Sequence, residues 1–599
     1  LNLNNLNNEQ LAAVTSPYSH TLVLAGAGTG KTTTLINRIV YLMNEHMVSG
    51  HNILCLTFTN KAAREMRERL AKHVPVNELQ KIWLGTFHAI CLRMLSETGY
   101  RLDYDEHIGV YDADESLDLL IQVNKEHGEP YKEGYLKKLN AKFSEEKPDL
   151  SEDELLIFRD YLFRLRKFNC VDYTRMMTEV IRLFREHPDI QELFHKKFQY
   201  VFIDEFQDTS EVQMLIYSML EPENLFCVGD PDQLIYGWRN AKIEIILNFE
   251  KQFPVCNIVT LTKNYRSPPD IITAANNLIK HNHKRFDKRL ESVQDFDGGF
   301  NTRHLPDIDK HDDAMVFALN RLKEDKPLVR SFEWGEMVII ARMNSTLERM
   351  FTRLYRAGIP AVLISSRKSI WNCAAAKEIL NLLWLVYNPR DDLRMEKFFS
   401  KSLEMDYTTV RDIKKTSLNA GCAMSDVWIA KQGITEGQFP LLTGSLTEIV
   451  DQLFSQFQFK RRYENYLERK EQFFEVGSEI VEWAKDNDNS LKDFLHYIVL
   501  RSEQDSIDAK MSQDKVKLMT VHGAKGLEFP VVFVADCVDG KFPNSKSKDI
   551  EEERRTFYVA ITRAQFALWC WSYAQSTNPF THQMVIDLPS PFLKETGIH

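Results

Sequence analysis

At 599 residues, with 44% hydrophobic and 27% charged residues, the chain is too long for one hydrophobic core and ordinary in composition for a globular protein. No run reaches the ~18 apolar residues of a membrane span, and the polar opening Leu1-Asn-Leu-Asn-Asn5 does not read as a signal peptide. The net charge of −10 weighs against nucleic acid as a partner, although a local basic groove on an acidic protein still binds phosphates.

The nine cysteines are scattered with no C-x-x-C pair. That argues against a disulfide framework and against a structural zinc or iron–sulfur site, and predicts a reducing, cytoplasmic setting.

In chain order, Thr21-Leu-Val-Leu24 predicts a short buried strand, and Leu35, Ile36, Ile39, Val40 and Leu42 recur at helical spacing. Between them runs Ala25-Gly26-Ala27-Gly28-Thr29-Gly30-Lys31-Thr32, the phosphate-loop pattern with Ala for its first Gly. The three glycines let backbone amides converge on phosphate oxygens at a helix N-terminus. Lys31 is placed for the β- and γ-phosphates of ATP, and the Thr32 hydroxyl for Mg²⁺.

Ile53–Thr57 predicts a further strand and Lys61–Lys72 a charged helix whose face is solvated. From about 91 to 195 the period is helical almost throughout. The α/β pattern then resumes with strands at Tyr200–Ile203, Leu225–Val228 and Asn257–Leu261. After Asn264 a second α/β unit is expected, with strands at Met337–Ile340, Ala361–Ile364, Val516–Val521, Val531–Val534 and Phe566–Trp571. A second helical stretch, 373–510, interrupts it. The expected organisation is a first core of residues 1–90 and 196–265 with insertion 91–195, and a second core of 266–372 and 511–599 with insertion 373–510.

Asp204-Glu205-Phe-Gln-Asp208 follows an apolar strand directly. Asp204 is placed to hold Mg²⁺, directly or through water, and Glu205 to orient or deprotonate an attacking water. Gly229-Asp-Pro-Asp-Gln233-Leu-Ile-Tyr236-Gly-Trp238-Arg239 joins an amide able to sense a γ-phosphate to two aromatics and a cation, groups that stack on bases and pair with phosphate.

With these strings in order, the sequence closely resembles the UvrD/Rep-type superfamily 1A DNA helicases along nearly its whole length. The ordered motifs stand here as Leu6–Gln10, Ala25–Thr32, Thr57–Ala63, Gly85–His88, Asp204–Asp208, Gly229–Arg239, Leu261–Ser267, Val521–Pro530 and Glu553–Ala564. The resemblance implies two RecA-like parallel-sheet P-loop cores, each interrupted by a mainly helical insertion. It implies ATP and Mg²⁺ as cofactors, and 3′→5′ travel on single-stranded DNA and 3′-tailed duplex DNA.

By resemblance Gln10 reads the adenine edge and Tyr265 stacks on the base. Gln233, Arg266 and Arg563 sense the γ-phosphate, the arginines acting as fingers from the second core, and Glu528 lies near the ribose. Phe58, Asn60, Thr86, His88, Tyr236, Trp238, Arg239, His522 and Lys525 occupy the DNA track. Opening and closing of the cleft would then move bases past the aromatics.

The sequence departs from the family pattern at Thr33, where Arg is usual beside the adenine, and at Leu234, Asn240 and Gly523. The short stretch beyond Arg563 predicts neither a long C-terminal extension nor a RecB-like nuclease domain. Two other readings stay open: a translocase that strips proteins from DNA with little unwinding, and a non-catalytic DNA-loading scaffold. The intact Lys31, Asp204, Glu205, Arg266 and Arg563 count against the scaffold.

Overall fold

In a computed structural model, residues 3–143, 148–237, 240–296, 298–324, 331–364, 371, 373–457, 467–500, 511, 513–577 and 583–597 are described. The chain forms two compact units. One comprises Leu1–Thr86, His195–Ser366 and Ser502–His599, the other Phe87–Phe194 and Arg367–Arg501.

The first unit holds two six-stranded sheets. Strands β1 (His20–Ala25), β2 (Ile53–Thr57), β3 (Trp83–Thr86), β4 (Tyr200–Ile203), β5 (Asn224–Gly229) and β6 (Cys256–Leu261) form the first, in the order β3-β2-β4-β5-β1-β6. Strands β7 (Gly299–Leu305), β8 (Met337–Ala341), β9 (Ala361–Leu363), β10 (Val516–Thr520), β11 (Phe529–Val534) and β12 (Ala564–Tyr573) form the second, in the order β7-β12-β11-β8-β10-β9. Every pairing in both is parallel.

Parallel sheets are covered on both faces, so their strands read as continuous apolar runs. The second sheet shows how alternation divides such a run. Val338 and Ile340 of β8 and Val532 and Val534 of β11 pack in one core. Their neighbours Met337, Ile339, Ala341, Val531 and Phe533 pack in another. In the first sheet Val23, Cys55, Phe202, Phe226 and Val228 meet Leu35, Ile36, Ile39 and Val40 of the helix Lys31–Glu45. Each such side chain removed from water contributes about 1.5–3 kcal/mol, which fixes that helix's first turn at the end of β1.

Two sheet strands were not foreseen. Trp83-Leu-Gly-Thr86 is too short to show a period. Gly299-Phe-Asn-Thr-Arg-His-Leu305 is polar because it is an edge strand, where exposed charge blunts further pairing.

The second unit is mainly helical. Its helices Ala113–Glu126 and Glu152–Lys167 both start in capping boxes, from Asp112 and Ser151. The stretch 91–195 is mainly helical as expected, and it also holds a short parallel ladder, Gly109–Tyr111 with Cys170–Asp172, a long-range pairing that three-residue segments do not announce. Within this unit the buried Arg394 guanidinium pairs with Glu115 and Asp391, tying its two chain segments together. Among the described residues no helix is long and apolar enough to cross a membrane.

Candidate nucleotide and nucleic-acid site

The phosphate loop spans the gap between the end of β1 and Lys31, the first helical residue. Gly28 and Gly30 have φ of +68° and +85°, a left-handed backbone that side chains disfavour. Space forbids side chains as well. A Cβ on Gly28 would lie 2.6 Å from Arg266 Cβ, one on Gly30 2.6 Å from Gln10 Nε2, and one on Gly26 2.5 Å from Leu290 Cδ2.

All five loop carbonyls are taken. The Thr29 hydroxyl donates to Gly26 O, the Asn264 amide to Ala27 O, Tyr265 N to Gly28 O, Gln10 Nε2 to Thr29 O, and the Thr34 hydroxyl to Gly30 O. Among the described residues the amides of Ala27, Gly28, Thr29 and Gly30 donate to nothing in the protein. A loop with its carbonyls satisfied and its amides free at a helix N-terminus is a fitted anion cradle.

Lys31 Nζ stands 3.0 and 3.1 Å from the two Glu205 oxygens. Glu205 holds a left-handed backbone, φ 52°, just past β4, and its N–H donates to Asp204 Oδ1 at 3.0 Å. Burial raises the Asp204 carboxyl, and the adjacent Glu205 charge raises it further. Burial also acts upward on Glu205, but the ammonium groups of Lys31 and Lys525 outweigh it and hold that carboxyl below the usual range.

Mg²⁺ fits this donor set. The Thr32 hydroxyl has no hydrogen-bond partner among the described residues, whereas Thr29 and Thr34 bond main-chain carbonyls. One buried carboxylate, one hydroxyl, phosphate oxygens and water suit a cation that dehydrates reluctantly.

The second sheet brings arginines to the first. Arg563, 1% exposed, donates from Nε to Val559 O at 2.9 Å, from Nη1 to Leu527 O at 3.2 Å, and from Nη2 to Gln233 Oε1 at 3.3 Å. Burial, then the charge of Arg266, pushes its guanidinium down to about 9, so it remains a cation at neutral pH. Arg266 donates to Glu528 at 2.7 Å and to Thr562 O at 3.1 Å. Glu528, expected near a ribose, is thus occupied by Arg266 and by Gln565.

Tyr265, expected to stack on adenine, is 45% exposed, and its hydroxyl accepts from Asn7 Nδ2 at 2.8 Å. Gln10 is buried, with Oε1 accepting from Asn7 N and Nε2 engaged on Thr29 O, so both ends of its amide are in use. Thr33 is exposed on the first helical turn. Arg38 is no substitute for an arginine there, because it is buried and donates to Val14 O at 2.7 Å.

Of the expected DNA track, four residues meet in the first unit. The rings of Phe58 and Tyr236 stack at 4.8 Å, the His522 ring lies 5.9 Å from Tyr236, and Lys525 Nζ sits 4.6 Å from the Tyr236 centroid. Lys525 was expected on the DNA track, and its contacts here lie within the protein. It is buried, and its ammonium bonds Asp208 and Gln233 O, so it joins the second sheet to the acidic motif rather than facing a groove. Tyr236 is buried too.

Asn60 opens the helix Asn60–Leu70 and Thr86 ends β3. His88 belongs to the second unit, stacked on Tyr173 at 4.0 Å. Trp238 and Arg239 lie outside the described residues.

Sequence reasoning missed Asn264, Asn7 and Leu290, which shape the loop and its tyrosine. Asn7 and Asn264 stand inside recognised strings whose assigned roles fall on neighbouring residues. Nothing local marks Leu290.

These features define the class, an α/β protein with two RecA-like parallel-sheet cores, the first carrying a phosphate loop and each interrupted by helical sequence. The UvrD/REP helicase N-terminal domain family matches residues 6–254, and the UvrD-like helicase C-terminal domain family matches residues 259–576. The ATP-dependent DNA helicase PcrA of Staphylococcus epidermidis RP62A is 30% identical over 639 residues, covering 99% of this chain and 86% of that protein. The protein of the same name from Staphylococcus aureus Mu50 is 30% identical over 641 residues, with the same coverage. The chain therefore belongs to the UvrD/Rep helicase family.

Proposed function

We propose that this protein is an ATP-dependent DNA helicase that moves 3′→5′ on single-stranded DNA and opens 3′-tailed duplexes. The observation that carries the reading is the bond between Arg563 of one sheet and Gln233 of the other, beside a phosphate loop with free amides. A cation so placed stabilises charge on a transferring phosphoryl group only when the two cores are together, which links hydrolysis to their relative movement.

In this reading the amides of residues 26–30 and Lys31 bind the phosphates, and Lys31 must leave Glu205 to do so. Glu205 then orients the attacking water, while Gln233, Arg266 and Arg563 surround the γ-phosphate. Tyr265 stacks on adenine and Gln10 reads its edge, with Asn7 holding the tyrosine. Thr32 and Asp204 would hold Mg²⁺, which when bound neutralises charge on the phosphates.

Phe58, Asn60, Thr86, His88, Tyr236, Trp238, Arg239 and His522 are proposed for the DNA side. Lys525 is proposed as a link between the nucleotide and DNA sides. The chain is proposed to divide into cores of 1–90 with 196–265 and 266–372 with 511–599, and insertions of 91–195 and 373–510.

The test is phosphate release with and without oligo-dT, followed by unwinding of 3′- and 5′-tailed duplexes. DNA-stimulated hydrolysis with opening of the 3′-tailed substrate is the expected result. Preference for the 5′-tailed substrate would overturn the polarity. Stimulated hydrolysis without unwinding would favour a protein-stripping translocase, and no hydrolysis a scaffold.

A further inference from the structure

The loop Gly229-Asp230-Pro231-Asp232-Gln233 carries two carboxylates with almost no access to water, Asp230 at 0% and Asp232 at 1%. Buried carboxylates require partners. Both find them on one later segment. Lys288 Nζ bonds Asp230 and lies 2.8 Å from Asp232, and Arg285 bonds both Asp232 oxygens at 3.1 Å.

The same segment reaches the phosphate loop. Leu290 packs on Gly26, and Glu291 and Ser292 pair in parallel with Lys263 and Asn264, the asparagine that holds Ala27 O. Residues 285–292 therefore touch both the phosphate loop and the loop that ends in Gln233.

What passes between them is set by hydrogen-bond polarity. Asp230 Oδ1 accepts from Lys288, and Oδ2 accepts from Gln233 Nε2 at 2.6 Å. A carboxylate only accepts, so the Gln233 amide must turn its NH₂ toward it. That leaves Oε1 as the atom that meets Arg563, which only donates.

We propose that Lys288 is a positioning residue for hydrolysis, fixing through Asp230 which way the Gln233 amide faces and hence how Gln233 engages Arg563. The proposal rests on the helicase reading above and extends it to a residue with no contact to nucleotide in that scheme. Without Lys288, Asp230 keeps only part of its anchoring and Gln233 is no longer held in one orientation at the reacting phosphate.

The experiment compares oligo-dT-stimulated hydrolysis in wild type, Lys288→Met, Lys288→Arg, Asp230→Asn, Gln233→Ala and the two double variants with Gln233→Ala. Lys288→Met should lower kcat about tenfold to a hundredfold, the cost of a misplaced catalytic group. KM for ATP should stay within about twofold, because ground-state binding is untouched. Lys288→Arg should restore most of the loss.

Asp230→Asn keeps the volume. If its one acceptor goes to Lys288, its NH₂ faces the Gln233 amide, which must turn its own NH₂ toward Arg563. It should therefore also lose kcat with KM unchanged. Because both residues act through Gln233, neither should lower kcat further in the Gln233→Ala background.

Multiplicative losses in the double variants would overturn the proposal, as would a full-rate Lys288→Met. If Lys288→Met does not fold, Asp230→Asn carries the same test. Absence of hydrolysis by wild type would instead overturn the helicase reading, so the two failures are distinct.

Discussion

The two sheets of the first unit share one plan, six parallel strands with the inner ones buried, yet they handle charge in opposite ways. The first ends its interior strand β1 in a glycine loop whose carbonyls are all satisfied and whose amides are left to donate. The second ends β8 in Arg342-Met-Asn344, with no glycine, and the Arg342 guanidinium is bound to Glu553. It offers charged side chains instead: Arg563, Arg266 and Lys525, each held by partners within the unit. A backbone cradle binds phosphate wherever the fold places it, whereas a buried cation acts only on what is brought to it. In the proposed reading, recognition thus sits on one sheet and control of the rate on the other.

The sharpest way to break this contrast is Lys31→Ala. It removes the one side-chain cation of the cradle and should abolish ATP turnover, while single-stranded DNA binding persists. Filter binding alongside phosphate release checks it, and a parallel loss of DNA binding in a folded variant would mean the two functions are not separate. Next in size is Arg563→Ala, for which arginine-finger losses of about 10³–10⁵-fold in kcat are expected with little change in ATP binding. Turnover within about tenfold of wild type would take Arg563 out of that role.

A third prediction concerns the histidine on the second sheet. Burial, then the charge of Arg342, pushes the His522 imidazole down to about 4, against an ordinary value of 6.5. A depressed folded value means the unfolded chain takes up the proton first as pH falls. His522 should therefore contribute stability above about pH 6.5 that is lost on acidification toward pH 4. In His522→Gln the stability difference between pH 7.5 and 4.5 should shrink by about 2 kcal/mol, measured by denaturant unfolding. An unchanged pH profile would show that the half-buried His522 imidazole is not desolvated by its surroundings.

The smallest effect is expected at Thr33. An arginine there would stack on adenine opposite Tyr265, a contact worth about 0.5–2 kcal/mol, so Thr33→Arg should tighten KM for ATP several-fold at constant kcat. Arg38 cannot supply the contact, being held on Val14 O. Equal KM values in both proteins would discard the stacking account.

The cores, the phosphate loop and the acidic pair were legible because each is local. A four-residue strand, a glycine spacing and a helical period occupy one continuous stretch, and the backbone geometry of that stretch follows from its own residues. The contacts of Lys525 were hidden for the opposite reason. Its string is recognisable, but the direction of its side chain depends on Asp208, 317 positions earlier, which supplies the buried charge it neutralises. The edge strand Gly299–Leu305 was hidden because edge position replaces apolar pattern with polar residues.

The sequence by itself therefore determined the fold class, the family and the anion cradle, since periodicity and glycine placement act over a few residues. Only the tertiary structure decided the contacts that shape the cradle: Asn264 and Leu290 against the loop, the Gln10 amide on Thr29 O, the bond of Arg563 to Gln233, and Lys288 beneath Asp230. The physical reason is that a buried charge must be neutralised wherever it lies. The partner is chosen by chain crossings hundreds of residues apart, which no local pattern encodes.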